Sequence, residues 1–139
     1  MRVAFLLLSV LVIAALAVVL WIRFAPSDPA RWHVDPLTAP DPATPNFARA
    51  DRIVALPPAQ AAEILASRAR AEGAVLLAGD AAHATWIARS RLMRYPDYVS
   101  LRLIPEGEGT RIVAFSRARF GSGDMGVNAA RLARWLPGD

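Results

Sequence analysis

The chain has 139 residues, room for one small domain and a tail rather than two domains. It contains no cysteine, which excludes disulfides, thiolate metal sites and a cysteine nucleophile. Its net charge of +4 rests on 16 arginines and no lysine, which beside 28 alanines points to a GC-rich coding bias before it points to arginine chemistry.

Residues 3–22 carry no charge and a single polar side chain, Ser9. Twenty residues at 1.5 Å each span about 30 Å, the thickness of a bilayer's hydrocarbon core. A cleaved signal peptide has an apolar run of about 7–15 residues that ends at a small-x-small site. Here Ala15-Leu16-Ala17 lies in the middle of the run, so cleavage there would leave an apolar new terminus. A retained anchor over residues 1–23 is the better reading, with Trp21 and Arg23 at the far interface. The two-residue leading flank is easily left in the cytoplasm, which puts the rest of the chain outside.

Six prolines follow: Pro26, Pro29, Pro36, Pro40, Pro42 and Pro45. They disfavour helix and favour extended chain, so residues 24–47 read as a semi-rigid linker. Trp32 and His33 stand out in it, as a ligand contact or, more simply, as an aromatic lying on the membrane interface or the domain surface.

The domain proper is expected over residues 48–139. Residues 52–56 suit a first strand, and Pro57-Pro58 the opening of a helix. Residues 59–72 place Ala61, Ile64, Leu65 and Ala69 on one helical face, and Gly73 fits the stop. Strands are expected at 74–77, 83–88, 98–103 and 111–117, the last two joined through Glu106-Gly107-Glu108-Gly109. In 111–117, Val113 and Phe115 share a face with Arg111 and Arg117, so both sides of the sheet should be partly covered. Asp124 is a natural cap for a closing helix striped by Asn128, Leu132, Trp135 and Leu136. Strand, helix, antiparallel strands and helix make an α+β two-layer sandwich of a mainly antiparallel sheet with two helices, behind one transmembrane helix.

Two stretches carry a resemblance. Ser90-Arg91-Leu92-Met93-Arg94-Tyr95-Pro96-Asp97-Tyr98-Val99 and Ser116-Arg117-Ala118-Arg119-Phe120-Gly121-Ser122-Gly123-Asp124-Met125-Gly126-Val127-Asn128, continuing to Arg131, resemble the signatures of the bacterial domain of unknown function 1499 family. The likeness covers roughly residues 40–136. The family commonly has a cysteine pair around a Pro-x-(Ser/Thr)-Pro-Asn core. This chain keeps Pro42-Ala43-Thr44-Pro45-Asn46 but has Asp41 and Phe47 at the cysteine positions, and Gly123 where serine is frequent. The resemblance implies a fold and an envelope setting and no reaction.

Catalytic patterns are wanting. His33 and His83 are fifty residues apart with one in the linker, which argues against a metal site or a triad built on both. Asp80 and His83 read as a hydrogen-bonded turn pair, and Gly121-Ser122-Gly123 has no evident paired base. No zinc-protease helix, phosphate loop or nucleophile elbow occurs, and neither cofactor nor metal is expected.

The positive charge is local. Residues 89–120 hold seven arginines against three carboxylates, a net +4 equal to that of the whole chain. Arg94, Arg117, Arg119 and Arg131, with Asp124 and Asn128, form the candidate anionic site, because guanidinium forks match phosphate and carboxylate oxygens. The competing reading makes the same residues internal glue. Nucleic acid is not expected, since the basic strands lack aromatic interleaving. The expected function is a non-catalytic binding or scaffold module, held through residues 3–22 in the bacterial inner membrane with its soluble domain in the periplasm. Its partner would be an anionic lipid, a small anion or an envelope protein. The alternative is a membrane-associated, hydrolase-like enzyme using Asp124, Asn128 and Arg131.

Overall fold

The computed structural model describes residues 1–91 and 93–138. An apolar helix, α1 (Arg2–Phe24), leads the chain, and its mean hydropathy of 3.2 makes it long and apolar enough to cross a bilayer. That is compatible with single-pass anchoring and with a signal sequence alike. A one-turn helix, α2 (Pro29–Trp32), interrupts the proline-rich stretch where no helix is expected. Asp28 Oδ1 caps it by accepting from the Ala30 amide at 3.0 Å, and Pro29 supplies a preset φ at its first position.

Then follow β1 (Phe47–Val54), α3 (Pro58–Ala71), β2 (Val75–Gly79), β3 (His83–Arg89), β4 (Pro96–Glu106), β5 (Gly109–Ala118) and α4 (Val127–Trp135). The five strands form one antiparallel sheet in the order β1-β5-β4-β3-β2. This is the expected α+β sheet-and-helix architecture. β1 begins five residues earlier than the apolar run suggests, because its pairing with β5 extends to Phe47 opposite Arg117. Alanine and charge alternate along that extension and hide the strand from a hydropathy reading.

Alternation sorts the side chains. Trp86 and Ala88 of β3, Val99, Leu101 and Leu103 of β4, and Ile112 and Ala114 of β5 face the helices. Ala61, Leu65 and Ala69 of α3 and Leu132 and Trp135 of α4 close the core over them. Ile64, expected on the same stripe, is only half-buried. Truncating a core side chain such as Leu65 to alanine costs about 2–5 kcal/mol.

Register fixes two ends of the sheet. One end gathers the close of β3 and β5, the start of β2 and β4, and the last turn of α1, where Arg89 donates to the Arg23 carbonyl at 3.2 Å. The other end carries the Gly107-Glu108 hairpin turn, with Gly107 at φ 57 as its first residue.

Residues 25–41 lie across the sheet face opposite the helices, and Thr44 and Asn46 turn in toward α4. The Trp32 ring stacks on Tyr98 at 4.1 Å and 12°, the simple reading of that tryptophan. The segment then runs past His83 and returns along β1, where Arg49 donates to the carbonyls of Pro36 and Ala39. We call it the strap.

Candidate functional site

Beneath α4 the core turns polar. Asp97 of β4 and Ser116 of β5 point to the helix side, where Arg131 Nη2 donates to Asp97 Oδ2 at 2.8 Å. Arg131 Nη1 also donates to Asn128 Oδ1 at 2.8 Å and to Ser116 Oγ at 3.2 Å. Burial pushes the Asp97 carboxyl above the usual range, and the Arg131 guanidinium pulls against that rise. Asn128 Nδ2 donates to the Asn46 carbonyl at 3.1 Å and to Asp124 Oδ2 at 2.7 Å. Asn46 in turn donates to the Gly121 carbonyl at 2.7 Å and accepts from Thr44 Oγ1 at 2.7 Å.

Asp124 is spent in this knot. Burial alone would raise its carboxyl, but donation from the Asn128 amide and side chain and from the Gly126 amide holds it low. The residue next to the first turn is Gly126, at φ 78, so Asp124 caps α4 from two residues further back.

The strap face holds a different arrangement. Arg117 is 6% exposed and meets no carboxylate among the described residues. Its guanidinium donates to the Trp32 carbonyl at 2.6 Å and to Ser100 Oγ at 3.2 Å. The rings of Phe115, Trp32 and Tyr98 stand at 4.7, 5.7 and 5.9 Å from it. Burial pulls it down to about 10, still a cation at neutral pH.

From Ser100 the bonding continues to Thr85 Oγ1 at 2.9 Å and on to His33 Nδ1 at 2.9 Å. Arg117 can only donate, so leaving no hydroxyl idle requires Thr85 to donate to an unprotonated Nδ1 of His33. His83 donates through Nε2 to the Val34 carbonyl at 3.0 Å, and its ring stacks on His33 at 4.1 Å. Burial, and then the facing His83, lower the affinity of His33 for a proton. Three consecutive strap residues are thus fastened to β3 and β5. The Asp80 carboxylate accepts from the amides of Ala82 and His83, as a turn pair should.

At the α1 end, a cleft of about 710 Å3 opens between α3, α4 and the turn after β3. Arg89, Ser90 and Arg91 form one wall, Ala71 and Glu72 another, and Val127, Ala130, Arg131 and Arg134 the third. Arg134 Nε is tied to Glu72 Oε1 at 2.6 Å and Arg131 to Asp97. Arg89 and Arg91 have no carboxylate partner among the described residues. Burial lowers Arg89's proton affinity, and the neighbouring Arg94, Arg119 and Arg23 act in the same direction.

The six expected site residues therefore divide. Asp124, Asn128 and Arg131 sit in the knot on the helix side, with Arg131 also at the cleft floor. Arg117 and Arg119 face the strap, and Arg119 donates to the Pro26 carbonyl at 2.7 Å and to the Tyr98 hydroxyl at 3.2 Å. Arg94 is exposed at φ 59, its carbonyl accepting from Arg89. Leu92 of the first signature lies outside the described residues. The cleft residues Arg89, Arg91 and Arg134 were not among the six. The local charge excess pointed to the first two, and the i, i+3 spacing from Arg131 placed Arg134 on the same helix face. Nothing local joins His33 to His83, and no group of three or more metal-ligating side chains occurs among the described residues.

A five-stranded antiparallel sheet with two helices on one face, a strap on the other and an apolar helix in front defines the class of α+β domain. The chain belongs to the family described as "Protein of unknown function (DUF1499)", whose profile matches residues 25–137. That span takes in the strap as well as the sheet. Thr44, Asn46, Asp97, Ser116, Asp124, Asn128 and Arg131, drawn from three separate motifs, meet in the one knot. Asp41 and Phe47, at the cysteine positions, make an ion pair with Arg49 at 2.6 Å and an edge contact with Phe115 at 6.0 Å. No curated protein matches the chain. A crystal structure of TTHA0849 from Thermus thermophilus is similar at 17% identity and a TM-score of 0.33, over 63% of this chain and 81% of that one, a likeness too loose to carry an argument.

Proposed function

We propose that this protein is a non-catalytic binding module of the bacterial cell envelope. In this reading α1 is retained in the inner membrane, the domain stands on the periplasmic side, and the cleft takes an anionic group. The observation that carries the reading is the position of Arg89 and Arg91. Two arginines without carboxylate partners among the described residues line a concave cleft beside the point where the apolar helix ends: Arg91, which is exposed, and Arg89, whose guanidinium donates to the Arg23 and Arg94 carbonyls. Cations close to an anionic leaflet gain about 1 kcal/mol each, so the pair corresponds to about thirtyfold in affinity. A phosphate-bearing lipid headgroup is the nearest ligand of that chemistry. A hydrolase built on Asp124, Asn128 and Arg131 is not proposed, because each is spent within the fold.

The test is a titration of the full chain, in neutral detergent, with short-chain phosphatidylglycerol, phosphatidylcholine and inorganic phosphate. Saturable binding of phosphatidylglycerol that falls at least tenfold in Arg89→Gln/Arg91→Gln supports the reading. Equal binding of phosphatidylcholine, or no response to the double substitution, contradicts it, and binding of phosphate alone makes the ligand a small anion.

A further inference from the structure

We infer that residues 121–126, the loop between β5 and α4, form a second membrane contact, with Met125 inserted into the leaflet from which α1 emerges. The inference rests on the reading of α1 as a retained anchor and not on ligand binding in the cleft. Met125 is fully exposed, at 102%, and its backbone adopts φ 49, a left-handed conformation that side-chain-bearing residues rarely take. A thioether held outward in that way has no partner in the fold. Val127, two residues on, is 46% exposed, so the apolar surface continues onto α4.

Place in the fold identifies what covers it. Phe120, immediately before the loop, packs its ring edge-on against Trp21 at 5.5 Å. Trp21 lies in the last turn of α1, at the level where an indole marks a bilayer interface. β5 runs toward this end of the sheet and α4 runs away from it, so the loop between them turns at the anchored end. The loop's one charge, Asp124, is satisfied internally, while Arg119 stands over the Phe120 ring at 5.1 Å and clusters with Arg23, Arg89 and Arg94 at the end of α1, cations suited to anionic headgroups. An apolar tip beside basic side chains is an arrangement by which a surface segment enters the headgroup region, to a depth of about 5–10 Å.

The absence of native cysteine permits a direct test. Met125→Cys, Glu108→Cys and Val12→Cys are each labelled with an environment-sensitive fluorophore in the full chain. Each is then placed in nanodiscs of phosphatidylethanolamine with a minority of phosphatidylglycerol. Glu108 is exposed in the hairpin turn at the opposite end of the sheet, and Val12 lies mid-way along α1. The expected result is a blue-shifted emission at position 125, quenched by spin-labelled acyl chains severalfold more than at position 108. Equal quenching at 125 and 108 overturns the inference, as does a label at 125 with the emission of one in water. A label at position 12 that escapes quenching shows instead that the anchor reading has failed, and the loop contact falls with it.

Discussion

Each face of the sheet buries an arginine, and the two environments differ. On the helix face Arg131 is 4% exposed and meets Asp97 at 2.8 Å, with Asn128 and Ser116 completing its bonds. On the strap face Arg117 is 6% exposed and is held by a carbonyl, a hydroxyl and three aromatic rings. A buried ion pair becomes costly when one member is removed, because the other charge is stranded. A buried cation without a partner charge leaves only dipoles behind. Family-signature arginines can thus be structural in two distinct ways, while Arg89, held by the Arg23 and Arg94 carbonyls, and the exposed Arg91 line the cleft without a carboxylate partner among the described residues.

The largest expected effect is that of Arg131→Met, which strands the Asp97 carboxylate and costs about 3–5 kcal/mol. Urea unfolding of the full chain in detergent measures it. Asp97→Leu combined with Arg131→Met should recover most of the loss; if the double substitution is as unstable as the single, the pair is not what matters. Arg117→Met should cost less, about 1.5–3 kcal/mol for the bonds to a charged group, and should raise hydrogen exchange in the strap. A loss equal to that of Arg131→Met breaks the comparison.

Acidification separates the faces further. The folded chain holds His33 below its ordinary value near 6.5, so the unfolded chain takes up the proton first as pH falls. The strap's contribution is therefore full above about 6.5 and is lost as pH drops from there toward the lowered value. Hydrogen exchange in residues 27–35, corrected for intrinsic rates, should quicken over that window, and His33→Phe should abolish the response. An unchanged strap at low pH contradicts the assignment of Nδ1 as an acceptor. The smallest effect belongs to the part-exposed Arg134–Glu72 pair, where Arg134→Ala should shift stability by about 0.2–1 kcal/mol.

Much of the fold was legible because alternation and punctuation carry it. Val99, Leu101 and Leu103 announced their buried face, and Pro58 and Gly73 bracketed α3. Val113 and Phe115 beside Arg111 and Arg117 signalled a sheet covered on both sides, and the strap supplies the second cover. Its path was not legible, since prolines specify extended chain but not the surface it lies against. The site was less readable still. Arg117 and Arg131 share a motif, but strand alternation sends Arg117 to the strap side while α4 delivers Arg131 to the other, a separation only the three-dimensional register reveals. The stacking of His33 on His83 depends on that same path of the strap and left no trace in spacing.

The most direct test of the account is native mass spectrometry of the full chain, released gently from the membranes of its own source. The account predicts a stoichiometric added mass matching an anionic phospholipid, lost in Arg89→Gln/Arg91→Gln and retained in Arg119→Gln. A bare polypeptide mass, unchanged when phosphatidylglycerol is supplied, would contradict it.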